Sequence, residues 1–354
     1  MGNYARYLVR EWSREHEVWS IGSSDRNRGP GFAGHVRVSP WNWRWRRAIG
    51  SHTDIVHCPT QAVPDYFYRI QKPRVVTIHG AAPFIFSHTS LVPPPSRGLL
   101  RLRAEPAAVD LFLTVSRSAQ REIVKHYRIP GERLHPIYHG VDPELFFPPA
   151  DKAAVRQRVC ARRGISGPYL LHISNYRPLK NGVRVVAAYR HLREQGFREL
   201  ALVLAGGTYF GFEAVAEEIG RPADGQIIRL GKLSDSELRE LYQGAEVFLF
   251  PSLHEGFGIP ALESMACGVP VVVSNTYSLP EVTGEAAVQV NPESVEEIAQ
   301  GVARLLSDAA FYAECRRAGV ARSREFRWDV CGQKHLEAFE RAIQIFAARK
   351  KKSN

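Results

Sequence analysis

Short apolar runs, rich in β-branched residues, alternate with helical stretches along almost the whole chain. In the first half these runs predict strands at residues 16–20, 54–57, 75–79, 110–115 and 134–138. In the second half they recur at 169–173, 200–205, 226–230, 247–250, 271–274 and 287–290. Strands that alternate with helices form parallel sheets covered on both faces. The pattern therefore predicts an α/β fold built from two such sheets.

The helices and one break in the pattern divide the chain. Helices are predicted at 3–14, 43–50, 97–108 and 118–126, and after the last strand at 295–306, 309–322 and 328–348. The break is the Phe-Pro-Pro-Ala segment at 147–150. We expect two Rossmann-like domains, 1–150 and 151–327, facing each other across a cleft, and a basic tail at 349–354. Ligands of open α/β sheets bind beyond the carboxyl ends of the strands.

Composition indicates the size of the protein and its compartment. The chain has 354 residues, 44% of them hydrophobic, which is enough for two cores. Apolar runs fall short of the ~20 residues that span a bilayer, and the first residues resemble an amphipathic helix rather than a secretion signal. Five scattered cysteines without a C-x-x-C pair favour reduced thiols and hence the cytoplasm. No D-x-D motif or metal-ligand spacing occurs, so no metal is expected.

Positive charge is concentrated in the first half. The formal net charge is +11, and residues 1–150 hold 20 Lys/Arg against 12 Asp/Glu. An anionic partner is expected there, such as a membrane surface, a lipid diphosphate or nucleic acid, although a solubilising surface also explains the charge. The segment WNWRWRR at 41–47 suits a membrane interface, base stacking or a packed helix face. We favour membrane contact.

The stretch HEGFGIPALESMACGVP at 254–270 is the most specific signal. Its glycines interrupt a helix, whereas Pro260 is suited to a first helical turn. Glu255 is therefore expected in a loop and Glu263 in the first turn of the helix that follows. The helix dipole alone favours an acid such as Glu263, but it accounts neither for Glu255 nor for the glycines.

An anion site is expected between these two glutamates. The amides of Phe257, Gly258 and Ile259 point off a helix N-terminus, where they can bind phosphate. A phosphate flanked by two hydroxyl-accepting carboxylates suits a sugar nucleotide, with the ribose on one glutamate and the hexose on the other.

Two further loops carry candidate residues. Arg177 and Lys180, in SNYRPLKN, would stabilise the negative charge that grows on a leaving diphosphate, although an exposed, solvated loop is equally consistent. Gly206 and Gly207 follow a strand without the full G-x-G-x-x-G fingerprint. They indicate close approach of a nucleotide, or only a tight turn.

Two histidines end neighbouring strands. His79 lies at the tip of the strand 75–79, directly before a glycine, and is expected to face the cleft as a catalytic candidate. His57 has no second signal beside it, and we interpret it as structural.

HEGFGIPALE resembles the E-x7-E signature of family-four retaining glycosyltransferases, which have the two-domain GT-B architecture. The resemblance extends over nearly the whole chain. MGNYARYL is similar to the family's opening glycine loop and first helix, VVTIHG to the strand bearing its active-site histidine, and RPLKN to its diphosphate-binding loop. TVSRSAQREIV and HGVDPELF match its domain-closing segments. FRWDVCGQKHLEAFERA is similar to its terminal helix, here about 328–348, which crosses back to the first domain.

The resemblance implies roles for the matching residues. Glu255 would hold hydroxyls of the donor hexose and Glu263 the ribose. Arg177 and Lys180 would bind the diphosphate, and His79 would lie beside the reacting sugar. The amides of 257–259 would line the donor site, and Gly2 would belong to the opening donor/acceptor loop. The family transfers sugar with retention and without a metal, so no cofactor is implied beyond the nucleoside-diphosphate sugar as co-substrate.

The chain departs from the family pattern at two places. His139 stands where the family usually has asparagine before Gly-Val-Asp. The family also opens with a β-strand before the glycine loop, whereas this chain begins inside that loop, so a first strand of the first sheet is expected to be missing. Losing a central strand exposes unpaired backbone groups at a large cost in stability. We therefore expect the true start to lie upstream of Met1.

The leading hypothesis is a retaining hexosyltransferase of cell-surface polysaccharide synthesis. GDP-mannose is the first choice of donor and UDP-glucose the second, on family habit only. A glycan or polyprenyl-linked acceptor and an anionic membrane surface are the expected partners, with no nucleic acid, and the protein would be peripheral on the inner face of the cytoplasmic membrane. A sugar-nucleotide epimerase of the same architecture and a non-catalytic nucleic-acid-binding protein are the alternatives.

Overall fold

The computed structural model of the chain describes residues 3–22, 34–37, 53–208, 210–221 and 225–353. The chain divides into two compact units. The first comprises Met1–Ser87, Pro94–Gly140 and Arg327–Asn354, and the second His88–Pro93 and Val141–Phe326. The helix predicted at 43–50 lies outside the described residues.

The first unit alternates helices and short strands. Its elements in chain order are α1 (Asn3–Trp12), β1 (Trp19–Gly22), β2 (Gly34–Arg37), β3 (Val56–Cys58), β4 (Arg74–Ile78), α2 (Ala82–Ile85), α3 (Arg97–Ala104), β5 (Leu111–Thr114), α4 (Arg117–Tyr127) and β6 (Leu134–Pro136). β1 and β2 form a two-stranded parallel sheet, and a second parallel sheet has the order β3-β4-β5-β6. Every residue of β4 is buried, as expected of a strand covered on both faces.

Local hydrogen bonding sets element bounds that the sequence pattern misplaces. The predicted strand 16–20 starts only at Trp19, because the amides of Glu15 and His16 still bond to the carbonyl of Trp12 at the end of α1. The predicted helix 97–108 ends at Ala104, because Pro106 has no N–H and disfavours a helical residue before it. The three residues from Pro106 form a 3-10 turn instead.

The second unit is a larger α/β layer structure. Its elements are α5 (Lys152–Arg163), β7 (Tyr169–Ile173), α6 (Gly182–Glu194), β8 (Ala201–Ala205), α7 (Phe212–Gly220), β9 (Gln226–Leu230), α8 (Asp235–Gly244), β10 (Val247–Phe250), α9 (Ile259–Ala266), β11 (Val271–Ser274), α10 (Leu279–Thr283), β12 (Val288–Val290), α11 (Val295–Ser307) and α12 (Ala309–Ser323). All six predicted strands are present, with bounds within one residue of the prediction.

The strands of the second unit form one parallel sheet with the order β12-β11-β10-β7-β8-β9. β8, β10 and β11 are buried along their whole length. Apolar side chains of α6 and α11 join those of the strands in one core, and each fully buried Leu or Val contributes roughly 1.5–3 kcal/mol. This core makes the sheet a rigid base for the loops at its edges.

The last helix, α13 (Trp328–Ser353), belongs to the first unit, which confirms the expected return of the terminal helix. Trp328 stacks on Tyr7 of α1, with ring centroids 4.6 Å apart. The helix is longer than expected, because residues 349–353, predicted as a tail, continue it. Arg349 lies 3.1 Å from the buried carboxylate of Asp110, and basic residues are favourable at a helix C-terminus.

Candidate active site

The second unit has a switch point at the centre of its sheet. β7 and β10 are neighbours there, with β8 and β9 on one side and β11 and β12 on the other. The loops after β7, β8 and β10 all leave the carboxyl edge of the sheet, where open α/β folds bind ligands. Arg177, Lys180, Gly206, Gly207 and Glu255 lie in these loops. The structure therefore brings these five donor-site candidates to one edge of one sheet.

Lys180 and Glu255 form an ion pair that joins two of these loops. Lys180 Nζ lies 2.5 Å from Glu255 Oε1, and Ser252 Oγ donates to the same oxygen at 3.0 Å. The side chains are 23% and 11% exposed, so both are shielded yet open to solvent on one side. Arg177 is exposed, and its guanidinium lies over the ring of Phe210, 5.9 Å from the centroid. A cation and a carboxylate are thus held together at the switch point.

Backbone and side-chain hydrogen bonds fix the two loops to each other. Asn181 Nδ2 donates to the carbonyls of Pro251 and Pro292 at 2.8 and 2.7 Å. The amide of Leu253 donates to the carbonyl of Leu179 at 2.8 Å. Because these contacts do not involve the ion pair, we expect the loops to keep their positions when one of its charges is removed.

Backbone strain is concentrated in the same loops. Four non-glycine residues of the described chain have left-handed φ values, and three of them, Tyr176, Asn181 and Tyr277, lie in loops at this edge. Such conformations cost of order 1–3 kcal/mol each and persist where surrounding contacts hold them. The buried Tyr176 hydroxyl donates to the carbonyl of Ala205, which shows how one of them is held. Strain of this kind is typical of ligand-binding loops.

The loop after β8 turns against the loop after β7. Gly206 has a φ of 117°, and an added Cβ would lie 2.0 Å from the carbonyl oxygen of Ser174. A Cβ on Gly207 would meet only the flexible side chain of Lys232. The need for glycine at 206 is therefore explained by the tight turn, which was one of the two interpretations of the sequence.

A buried serine holds the glycine-rich segment before α9 by hydrogen bonding to its backbone. Ser278 Oγ lies 2.8 Å from the carbonyl oxygen of Glu255 and 3.0 Å from that of Phe257, so its hydroxyl can donate to either. Gly258 is the N-cap of α9 with a φ of 106°. The start of a helix such as this one, with its amides and the positive end of its dipole, is a place where proteins bind anions.

Glu263 lies further along its helix than the sequence predicted. It is the fifth residue of α9, at the start of the second turn rather than in the first, because the helix already begins at Ile259. The residue is only 6% exposed, and Glu263 Oε2 accepts a hydrogen bond from the hydroxyl of Tyr242 at 3.1 Å. One helix thus begins after a glycine N-cap and, one turn on, carries an oriented carboxylate.

A buried histidine supports the loop after β7. His172 Nδ1 lies 2.8 Å from the carbonyl of Leu249 and must donate to it, so Nε2 accepts from Ser174 Oγ at 2.9 Å in the neutral ring. Ser174 Oγ in turn accepts from the amide of Tyr176. Burial lowers the pKa of His172 to about 4, with the hydrogen bond to Leu249 opposing the shift and Lys180 adding to it. The neutral ring therefore connects the carbonyl of Leu249 to the Ser174 hydroxyl and so fixes the loop after β7.

His79 follows β4 in the first unit and lies in a cluster of aromatic rings. Its ring packs edge-on against Tyr4, with centroids 5.1 Å apart, and Nε2 donates to the carbonyl of Pro59 at 2.9 Å. His139, the residue that departs from the family pattern, lies 5.8 Å from His79 and stacks on Trp328. Burial lowers the pKa of His79, and the hydrogen bond to Pro59 opposes that shift.

We call His57, His79, His139 and His335 the histidine cluster. The Tyr4 hydroxyl contacts His335 Nε2 at 2.7 Å and Thr77 Oγ1 at 3.0 Å, and Thr77 Oγ1 also contacts His57 Nε2 at 2.8 Å. Burial is the main cause that lowers the pKa of all four histidines, to about 4 for His335. Each of them is consequently neutral at pH 7.

Two functional predictions lie outside the described residues, in addition to the helix 43–50: the donor/acceptor loop at Gly2 and the membrane-contact segment 41–47. Among the residues that the structure does describe, His, Cys, Asp and Glu form no group of three able to hold a metal ion. Across the same residues, none of the helices has the length and apolar character needed to cross a bilayer.

Sequence reasoning missed the residues that hold the site in place. Asn181 precedes Gly182, and an Asn-Gly pair is a recognised turn signal that could have revealed the left-handed residue. Ser278, His172 and Tyr242 gave no comparable signal, because their partners lie 21, 77 and 21 residues away in the chain. Contacts of that range are visible only in the fold.

Two family models together match most of the chain. Residues 1–145 match "Glycosyltransferase Family 4" and residues 163–322 match "Glycosyl transferases group 1". The chain belongs to the family-four glycosyltransferases. The chain is 33% identical over 248 residues to the serotype-specific mannosyltransferase WbdA of Escherichia coli. It is 32% identical over 237 residues to the O-antigen chain mannosyltransferase B of the same species.

The alignments cover only part of those relatives. They take in 68% and 66% of this chain, but 30% of WbdA and 61% of the O-antigen chain mannosyltransferase B. The chain therefore spans about a third to three fifths of the curated relatives that it matches.

The fold is that of known glycosyltransferase structures. Anabaena HepE, solved in complex with UDP and glucose, matches with a TM-score of 0.77 and 17% identity, over 95% of each chain. This likeness shows the GT-B fold with its two α/β domains, as the sequence predicted.

Proposed function

We propose that this chain is a retaining glycosyltransferase that moves a hexose from a nucleoside diphosphate to a glycan or lipid-linked acceptor in polysaccharide synthesis. GDP-mannose is the first choice of donor. The mannosyltransferases among its relatives support that choice, and so does family membership. No metal or other cofactor takes part in the proposed reaction.

The observation that carries the proposal is the ion pair of Lys180 and Glu255 at the switch point, beside a helix whose first amides follow a glycine loop. In this proposal the diphosphate binds Lys180, Arg177 and the amides of 257–259. Glu255 accepts from hydroxyls of the hexose, and Glu263 from the ribose. Fixed cations stabilise a transition state most where negative charge develops, and in this proposal that charge develops on the leaving diphosphate.

Retention follows, in this proposal, from attack on the face that the diphosphate leaves. The oxygen of the departing diphosphate takes the acceptor proton, so the protein needs no separate carboxylate base. Glu255 is held by Lys180 and Ser252 and would orient the sugar rather than attack it. We further propose that neutral His79, with Nε2 donating to Pro59, lies beside the reacting sugar.

The acceptor is proposed to be anionic, and the protein to lie on the inner face of the cytoplasmic membrane. Supporting this, exposed basic residues of the first unit's helices accompany an exposed Leu100 on α3 and Val124 on α4. Exposed basic and apolar groups on the same helix suit a bilayer with anionic lipids.

Thermal unfolding with added nucleotides tests the proposal. We expect GDP, UDP or both, at 100 times their Kd, to stabilise the protein by about 2.7 kcal/mol, and ATP or single-stranded oligonucleotides not to do so. Stabilisation by oligonucleotides that disappears with added salt would instead favour the nucleic-acid-binding alternative. No shift with any nucleoside diphosphate would contradict the proposal.

A further inference from the structure

Tyr242 is a buried tyrosine whose hydroxyl reaches a proposed donor-site residue. It lies near the end of α8, is 0% exposed, and is wedged between the rings of Phe146 and Phe248, with centroids 5.9 and 5.4 Å away. Both rings meet it edge to face, at 78° and 72°. The phenol therefore has little freedom to turn, and its oxygen is fixed against Glu263 Oε2.

The direction of this hydrogen bond is determined. A carboxylate can only accept, so the Tyr242 O–H is the donor. Burial and the nearby charge of Glu263 raise the pKa of Tyr242 well above its ordinary value, which keeps the donor proton in place. Glu263 itself has a terminal torsion with a broad energy profile, so a glutamate without such a contact could present its oxygens in many directions.

We infer that Tyr242 is a positioning residue, whose hydroxyl holds the Glu263 carboxylate in the orientation that accepts from the ribose hydroxyls of the donor. The site would therefore select ribonucleoside over dideoxyribonucleoside diphosphates. This inference rests on the proposed function, in which Glu263 binds the ribose. A purely structural role, in which Tyr242 only satisfies a buried carboxylate, predicts a loss of stability without a loss that depends on the ribose.

Binding of GDP and UDP, and of their 2′,3′-dideoxy forms, to Tyr242→Phe separates the two roles. Fixing one mobile side chain is worth of order 1 kcal/mol, so we expect the variant to bind the ribonucleotide about three- to tenfold more weakly. Affinity for the dideoxy form should be unchanged, because that ligand offers Glu263 no hydroxyl. With the complete donor, KM should rise by the same factor while kcat stays within about twofold.

Tyr189→Phe is the matched control. Tyr189 is also buried, and its hydroxyl donates to the carbonyl of Leu200. The control should lose stability but keep the wild-type ratio of ribo to dideoxy affinity. An equal loss for both ligands in Tyr242→Phe, or no loss for either, would overturn the inference.

A second comparison covers the case in which Tyr242→Phe does not fold. In the Glu263→Met background no acceptor remains for the Tyr242 hydroxyl, and removing both polar partners of a buried hydrogen bond costs little stability, so the double variant is expected to fold. Adding Tyr242→Phe there should weaken ribonucleotide binding by less than twofold, because a residue that acts through Glu263 has nothing left to position. A further three- to tenfold loss would overturn the inference. Failure of the proposed function shows differently, since the wild type itself would then bind neither GDP nor UDP.

Discussion

Lys180→Met and Glu255→Gln are each expected to lower kcat/KM for sugar transfer by about 10²–10³. Lys180→Met keeps the apolar stem but removes the charge that we propose to face the leaving diphosphate. Glu255→Gln keeps the shape but removes the negative charge that holds Lys180 at 2.5 Å and that, in the proposed site, strengthens the hydrogen bonds accepted from the sugar hydroxyls. We expect the loss with Lys180→Met mainly in kcat, because the charge that it stabilises grows only as the bond breaks. Steady-state kinetics with the radiolabelled donor measures both.

The fold should survive both changes. The contacts of Asn181 with Pro251 and Pro292, and of Leu253 with Leu179, join the same loops without either side chain. Arg163→Met is the matched control, since Arg163 and Glu237 form an ion pair of the same 2.5 Å length in the second unit, between α5 and α8. It should change kcat/KM less than twofold. Wild-type turnover by either site variant would remove Lys180 and Glu255 from the proposed mechanism.

Acidification from pH 7 to pH 4.5 is expected to destabilise the first unit steeply, because the unfolded chain then protonates histidines that the folded protein keeps neutral. The folded protein holds the pKa of these rings below the unfolded value, to about 4 for His335. The unfolded chain therefore binds more protons as the pH falls below about 6.5, and stability is lost with falling pH down to the folded pKa. Each histidine contributes up to about 1.4 kcal/mol per pH unit in this window.

Urea unfolding at pH 8.5, 7.5, 6.0 and 5.0, followed by tryptophan fluorescence, measures this slope. Trp12 and Trp328 report on the first unit, because their rings lie 5.8 Å from His335 and 5.6 Å from His139. The variant His335→Gln should flatten the acid slope by about one proton and leave the interval from pH 7.5 to 8.5 unchanged. An unfolding midpoint that stays constant from pH 7.5 to 5.0 would show that protonation of these histidines does not destabilise the folded protein.

The fold was largely predictable because its pattern is local. In the second unit each strand is a short apolar run bounded by turn residues, and buried strands such as Val271–Ser274 are recognisable from that run alone. In the first unit, short-range hydrogen bonds after α1 and the single Pro106 shifted the bounds. Such effects depend on a few atoms and leave little trace in an apolar periodicity.

The sequence indicated the candidate residues that lie in loops with recognisable glycines and charges. It did not indicate the residues that hold them in place from distant parts of the chain. Glycines, charges and a proline in one segment indicated the donor site that we propose, and Lys180 does contact Glu255. The depth of Glu263 and its contact with Tyr242 were not foreseen, because a helix start one residue earlier moves Glu263 into the second turn. Tyr4 and Thr77 link the histidine cluster to α1 and β4, and no local pattern connects residues 4, 77 and 335.

Hydrogen–deuterium exchange with and without saturating GDP or UDP tests the proposed donor site most directly. Peptides that cover 174–181 and 252–263 should exchange more slowly with the nucleotide bound, because the amides of 257–259 would donate to its phosphates. Peptides from the opposite edge of the same sheet, such as 196–200, should not change. Protection confined to other segments, with 252–263 exchanging as in the free protein, would contradict a donor site at the switch point.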